Sequence, residues 1–594
     1  MAHEEEVLGK AYDSRLMKRL LTYLWPYWHL VLAAVAVIVA NATVQLAQPY
    51  LTKLVIDRYI AAGDLSGMGS IALLFLIVLT AGFVFEFCET WLMQMLGQRV
   101  MFDLRTQIYE RLQRLGLSFY DRNPVGRLMT RVTSDVDVLN DLLSAGLVSA
   151  SGDAFMLVGI MGVLIWMDWR LALVAFATLP LILLVTQWFR KNVRETYRTV
   201  RTLVARINAF LQENITGMAT VQLFRREAVN FGRFDNINRA HRDANLQSIF
   251  YYAVFYPAIE IVSALAGALI IWIGGGWVMS GTLTLGSLVA FLQYAQRFFR
   301  PISDMSEKFN LLQAAMASSE RIFGLLDEPI TIESPANSTM RSPEAPGHIV
   351  FDHVWFAYAN DNFVLRDVSF DVRPGERIGV VGATGAGKST IINLLLRFYD
   401  VSRGRILVDG VDIRELELHD LRSLFSLVLQ DVYLFTGTIA SNVRLGNNNI
   451  TDDEVRRAIK AVHADTFVDR LPEGLNAPVA ERGATLSVGQ KQLLSFARAL
   501  AFNPRVLVLD EATSSVDTET ELLIRDALQV LMAGRTTIAV AHRLSTIQDM
   551  DKILVFHKGE LREMGNHQEL LARRGIYFKL YQLQYKDQET AATA

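Results

Sequence analysis

One cysteine, Cys88, stands among 594 residues, so the chain can form neither an intramolecular disulfide nor a cysteine-built metal site. Charge of one sign is also missing. Lys and Arg number 58 against 61 Asp and Glu, and a formal net charge of −3 leaves no electrostatic footprint for nucleic acid. The start, Met1-Ala-His-Glu-Glu-Glu, is acidic and lacks the basic n-region of a cleaved signal peptide, so the first hydrophobic segment is expected to stay in the mature protein. What the chain has in abundance is apolar surface: 51% of residues are hydrophobic and the mean hydropathy is +0.25, high for a soluble protein. A single core does not extend over this length, and two or more domains are expected. The apolar excess is concentrated in the first half, whereas the second half is charged and mixed.

A bilayer crossing needs roughly 20 apolar residues, and six segments come near that length: Leu30–Gln48, Ile71–Trp91, Leu147–Met167, Leu171–Phe189, Tyr251–Ile273 and Leu285–Phe299. The sixth is the least apolar, because Arg297 and Arg300 are costly in lipid unless they lie at its end or face a wet cavity. Seven arginines, from Arg99 to Arg131, separate the second and third segments, and a second basic group from Arg190 to Arg242 separates the fourth and fifth. By the positive-inside rule both long loops, and with them both termini, are cytosolic in a multi-pass protein of the cytoplasmic (inner) membrane. Val100–Leu117 and Thr199–Phe224 mix apolar and charged residues at helical spacing, which predicts cytoplasmic extensions of the membrane helices. The turn chemistry of Tyr120–Gly126 is expected to break the first extension, and Glu213–Gly217 the second. An ordinary solvated helical hairpin is the plainer alternative for both. The expected domains are a membrane domain over residues 1–326, a Pro/Ser/Asn-rich linker over 327–347, a soluble domain over 348–585 and a tail over 586–594.

In the second half, Gly382-Ala383-Thr384-Gly385-Ala386-Gly387-Lys388-Ser389-Thr390 follows a strand-like run, Arg377–Val381, and leads into helix-like Ile391–Phe398. This is the strand-loop-helix setting of a phosphate-binding loop. Its glycines let backbone N–H groups close around phosphate oxygens, Lys388 neutralises the β/γ-phosphates, and the Ser389 hydroxyl is a Mg²⁺ ligand. Val506–Glu511 is a buried-strand run ending in two carboxylates: Asp510 to hold Mg²⁺ through its water shell, and Glu511 to polarise an attacking water as general base. His542 follows another apolar strand, Thr537–Ala541, within reach of a γ-phosphate or in a merely structural role.

With Leu486-Ser487-Val488-Gly489-Gln490 placed between these motifs, the chain resembles the ATP-binding cassette (ABC) family over nearly its whole length. Six spans followed by one cassette match the exporter type, and the chain resembles the MdlB-like half-transporters. The resemblance implies a fold of an all-α six-helix membrane domain with long cytoplasmic helical extensions, followed by an α/β P-loop ATPase. It further implies that Tyr358 stacks on adenine, that Gln430 senses Mg²⁺ and the membrane domain, that Asp517 follows the Walker B strand at the nucleotide, and that His542 is the switch histidine. Phe119–Leu142 looks like the first coupling region. Ser487, Gly489 and Gln490, at the start of a helix expected over Gln490–Leu500, form an anion site that in this family completes the ATP pocket of an opposing cassette.

One phosphate loop and one signature per chain imply a dimer with a second ABC half-transporter, two ATP molecules with Mg²⁺ between the cassettes, and alternating access driven by closure and hydrolysis. The family's usual third signature residue is glycine, and here it is Val488. That departure, beside intact Walker motifs, points to the subunit of a heterodimer that lends an altered signature to its partner's site; a symmetric homodimer tolerating Val488 is the alternative. The implied function is ATP-driven export of amphiphilic drug-like or lipid-like molecules, with a lipid flippase or peptide exporter as variants. A non-pumping ATP-gated channel or regulatory subunit is argued against by Glu511, and a soluble ABC protein of DNA repair or translation by the membrane segments. Glu86, Glu89 and Glu260 within the spans either serve cationic amphiphiles or make helix-helix polar contacts.

Overall fold

The computed structural model describes residues 13–61, 63, 67–339, 346–510, 518–540 and 547–583. The chain divides into two compact units. The first comprises residues 1–113 and 125–328, and the second residues 114–124 and 329–594.

The first unit is helical. Its long elements are α1 (Ser14–Thr22), α2 (Trp28–Val55), α3 (Met68–Arg114), α4 (Val148–Met167), α5 (Leu179–Thr216), α6 (Glu227–Met279) and α7 (Leu285–Asp327). Among the described residues, four helical stretches are long and apolar enough to cross a membrane: Trp25–Ile60, Met68–Arg114, Trp169–Thr216 and Glu227–Met279; Ser151–Met167 is a shorter apolar helix. α7 holds the sixth sequence segment. Its first half is helical but polar, with Gln293, Gln296 and Arg297 along it; the side chain of Arg300 lies outside the described ones. The polarity has a physical reason on α2. Pro49 sits inside that helix and has no N–H to give the carbonyl four residues back. The Gln45 carbonyl so released accepts from Arg297 Nη1 at 2.6 Å, Arg297 Nη2 reaches Gln48 Oε1 at 2.6 Å, and the Tyr294 hydroxyl donates to the Leu46 carbonyl at 2.5 Å. An arginine at membrane depth is thus satisfied by backbone that a proline exposed, the substitution of partners that hydrocarbon demands.

The extensions are helical, but the first breaks once more than expected. α3 continues to Arg114, the chain leaves helix at Leu115-Gly116, and Leu117–Arg122 is helix again. The expected break over Tyr120–Gly126 falls at Asn123-Pro124, since Pro124 biases Asn123 out of the α region, and an earlier break at Leu115-Gly116 comes in addition. The second extension does break at Gly217, the C-cap of α5. Near the end of α7, Asp135 is buried and accepts from Arg321 Nε at 2.9 Å and Ser318 Oγ at 3.0 Å. At its last residue, Arg19 of α1 forms a two-pronged ion pair with Asp327 at 2.6 and 2.8 Å. The guanidinium holds the Asp327 carboxyl below the usual range.

The second unit contains two larger sheets and, among the described residues, a two-stranded one that pairs Gly437–Thr438 with Pro478–Val479. β1 (Ile349–Phe356), β2 (Leu365–Val372), β4 (Arg403–Val408) and β5 (Val411–Asp412) form an antiparallel sheet in the order β2-β1-β4-β5. The other larger sheet orders as β10-β9-β3-β8-β7-β6. Its members are β3 (Arg377–Gly382), β6 (Phe425–Val428), β7 (Val506–Asp510), β8 (Thr536–Val540), β9 (Lys552–His557) and β10 (Glu560–Gly565). All of its pairings are parallel except the edge pair β9–β10. β8 is buried at all five positions and β7 at four of five, as continuous apolar strands covered on both faces must be. The register pairs Val540 with both Asp510 and Val380, so the carboxyl ends of β3, β8 and β7 finish side by side. In an open α/β sheet that edge is where ligands bind.

Candidate active site

At the end of β3 the chain turns through Gly385 at φ +81° and Gly387 at φ +97° into α8 (Lys388–Leu395). Gly387 is required twice over: its backbone lies in the left-handed region, and a Cβ there would meet Leu365 Cδ2 at 2.6 Å. A Cβ on Gly382 would meet the Phe556 carbonyl at 2.4 Å. The loop can take no side chain at these two positions, and the helix that starts at Lys388 adds its N-terminal partial charge. Lys388 is 6% exposed, with its amine on the Gly382 carbonyl at 2.8 Å and the Ala383 carbonyl at 3.3 Å. Thr384, Gly385 and Ser389 are exposed, whereas Ala386 and Thr390 are buried. This donor-rich cradle with a fixed cation fits a nucleotide's phosphates, and the Ser389 hydroxyl and Asp510 carboxylate fit the hard, oxygen-seeking Mg²⁺ that would accompany them.

Tyr358 follows β1 and is 39% exposed. Its hydroxyl donates to Thr390 Oγ1 at 3.2 Å and accepts from Asn393 Nδ2 at 3.3 Å. Phe356 and Tyr399 stand edge-on to its ring at 4.8 and 5.1 Å. The ring is thereby tied to the helix that starts at the phosphate loop. Sequence reasoning passed over Tyr399, which no motif marks. Its hydroxyl donates to the carboxylate of Asp121 in the short helix Leu117–Arg122, and burial followed by that bond pushes its pKa up.

Gln430 lies exposed two residues beyond β6. Ser487 is the N-cap of α9 (Val488–Ala501): its Oγ accepts from Gln490 N at 3.2 Å while Gln490 Oε1 accepts from Ser487 N at 3.0 Å. This reciprocal capping box starts the helix at Val488, two residues before the expected Gln490. Val488 is thus a first-turn residue with ordinary helical backbone, 55% exposed, so the valine imposes no backbone strain within this chain. Gly489 is buried. Glu511, Asp517 and His542 lie outside the described residues.

A phosphate cradle on a parallel sheet, joined in one chain to a bundle of membrane-length helices, defines an ATPase-driven membrane transporter. The ABC transporter transmembrane region family matches residues 31–302 and the ABC transporter family residues 365–514. An uncharacterized ABC transporter ATP-binding protein, YknV of Bacillus subtilis (strain 168), is 38% identical over 98% of this chain and 96% of its own length. A fatty acid ABC transporter ATP-binding/permease protein of Mycobacterium tuberculosis is 40% identical over 82% of this chain and 77% of its own. The structure of a bacterial Atm1-family ABC exporter with ATP bound superposes with a TM-score of 0.76 at 29% identity, covering 96% of this chain and 99% of that one. The chain belongs to the ABC transporter family: it is a half-transporter of the exporter type, a multi-pass membrane protein that binds ATP and couples its hydrolysis to transport. Half-transporters of this kind commonly dimerise, as homodimers or heterodimers.

Proposed function

We propose that this half-transporter exports amphiphilic, lipid-like or drug-like small molecules across the cytoplasmic membrane, with both termini cytosolic, and that it does so as one subunit of a heterodimer. The observation that carries the dimer is the single phosphate loop and single signature, with Val488 standing exposed on the first turn of α9. A side chain there adds bulk where a partner's γ-phosphate would approach the helix N-terminus, so the site this chain lends is the weaker one. Lys388 and the amides of the loop hold phosphate, Ser389, Gln430 and Asp510 hold Mg²⁺, and Tyr358 takes the adenine. Glu511 is the general base, His542 the switch histidine, and Asp517 belongs to the nucleotide-binding set. Mg²⁺ supplies charge neutralisation between the phosphates. Asp121, through Tyr399, supports a coupling role for the segment Leu117–Arg122, because it links a chain continuous with α3 to the ring that contacts Tyr358. The fatty acid relative supports a lipid-like substrate.

The test is purification of the chain alone and with the product of the neighbouring gene, followed by uphill transport in vesicles. A stable complex with unequal hydrolytic sites is expected. A homodimer of the chain alone that transports with two equivalent sites would overturn the heterodimer.

A further inference from the structure

α2 and α3 pack through an apolar seam of Ala34, Ile38, Met93 and Leu96, and one carboxylate interrupts it. Glu89, half-buried on α3, accepts from Asn41 Nδ2 at 2.7 Å. Asn41 is 7% exposed, and its own Oδ1 accepts from Gln45 Nε2 at 3.3 Å, so the amide is oriented from behind and presents its N–H₂ to the carboxylate. Among the described residues, no Lys, Arg or His nitrogen lies within 4.0 Å of Glu89; every ion pair of this unit is made elsewhere. Glu86 and Glu260 are exposed.

The cost of a carboxylate at membrane depth is about 2.5–3.5 kcal/mol on insertion scales and is ordinarily met by pairing or by a cavity. One neutral amide answers one lone pair of four. Contrast Arg297 of α7, whose Nη1 and Nη2 both reach acceptors further along α2. A buried amide that orients a half-buried anion without neutralising it is built to receive a cation.

We infer that Glu89, positioned by Asn41 and Gln45, is the counter-ion for the positive head of a cationic amphiphile, and so a specificity determinant of transport. This rests on the export function proposed above. A lipophilic onium ion fits: it sheds its weak hydration at low cost and offers the charge that Glu89 lacks. Glu89 touches the transported molecule and takes no part in hydrolysis.

The experiment compares two probes of equal shape and opposite charge, tetraphenylphosphonium and tetraphenylborate, binding to the full-length transporter in nanodiscs. The wild type is expected to bind tetraphenylphosphonium saturably and more tightly than tetraphenylborate. Glu89→Gln, the isosteric neutral variant, should weaken tetraphenylphosphonium at least tenfold and leave tetraphenylborate unchanged or tighter. Glu89→Asp should fall between, and Asn41→Ala should weaken the cation by a smaller factor. Wild-type affinity of Glu89→Gln for tetraphenylphosphonium, or no saturable binding by the wild type, overturns the inference. ATP-driven uptake by the wild type in vesicles, measured beside binding, separates this failure from failure of the exporter itself, which would show as absent ATP-driven uptake of every substrate.

Discussion

In the ATPase unit four helices begin with reciprocal capping boxes, at Thr438, Thr451, Ser487 and Asn566, each closed between residues three apart. In the membrane unit the hydrogen bond that Pro49 removes from α2 is replaced by Arg297, 252 positions away from the Gln45 carbonyl it binds. Both arrangements satisfy orphaned backbone groups, but water is available to one and hydrocarbon surrounds the other. Where water can stand in, a short local motif suffices. Where it cannot, the partner must come from another helix, and sequence spacing carries no trace of it.

The largest expected effect lies on the motif side. We predict that Glu511→Gln lowers steady-state ATP hydrolysis by about 10²-fold or more while nucleotide binding persists, because the amide keeps the shape and loses the base. Turnover measured beside equilibrium binding of ATP checks this, and undiminished turnover would remove Glu511 from the role of base.

Arg297→Leu comes next and tests the non-local side. The variant leaves the Gln45 carbonyl without its donor in a dry interior, a loss of about 1–3 kcal/mol, read as a lower unfolding midpoint in detergent. Gln48→Leu should cost less, since Arg297 keeps its bond to the Gln45 carbonyl. Equal midpoints for all three proteins would show that the proline break is satisfied some other way.

Tyr399→Phe should spare basal ATPase and reduce substrate stimulation severalfold, because the hydroxyl bond to Asp121 is lost while the ring contact with Tyr358 remains. Its pH behaviour follows from the raised pKa. A tyrosine whose folded pKa exceeds its ordinary value of about 10 keeps its stabilising proton fully below that value and loses it only as pH rises through the folded one. Stimulation should therefore show no Tyr399-dependent change between roughly pH 6 and 9. A step in that window which Tyr399→Phe abolishes would contradict the assignment.

The smallest structural effect is expected of Val488→Gly. An exposed first-turn position changes stability by under about 1 kcal/mol, so a shift in hydrolysis reports on the partner's site and not on folding. Raised turnover is expected where the partner keeps a catalytic carboxylate.

The phosphate loop, the Walker B strand and the signature were legible because each is contiguous and each geometric demand falls on a named residue: glycine where a Cβ would strike Leu365 or the Phe556 carbonyl, serine where a helix needs a cap. The long extensions were legible from helical periodicity. The turn at Asn123-Pro124 was legible from its proline, while the earlier break at Leu115-Gly116 was not, because a lone glycine in a helical pattern marks no boundary by itself. Arg297 read as a liability of the sixth segment, since nothing in the spacing of α7 reveals Pro49.

By itself, then, the sequence determined an ABC half-transporter: a membrane-length helical half, one ATP-binding cassette, a signature altered at Val488, and no second site within the chain. These follow from local chemistry, in which one residue type at one spacing meets one need. The tertiary structure decided which polar groups face each other: Arg297 with the α2 backbone, Tyr399 with Asp121, and Glu89 with Asn41. Such pairings arise because hydrocarbon and packed interior remove water as a partner, and only the folded chain settles which side chain takes its place.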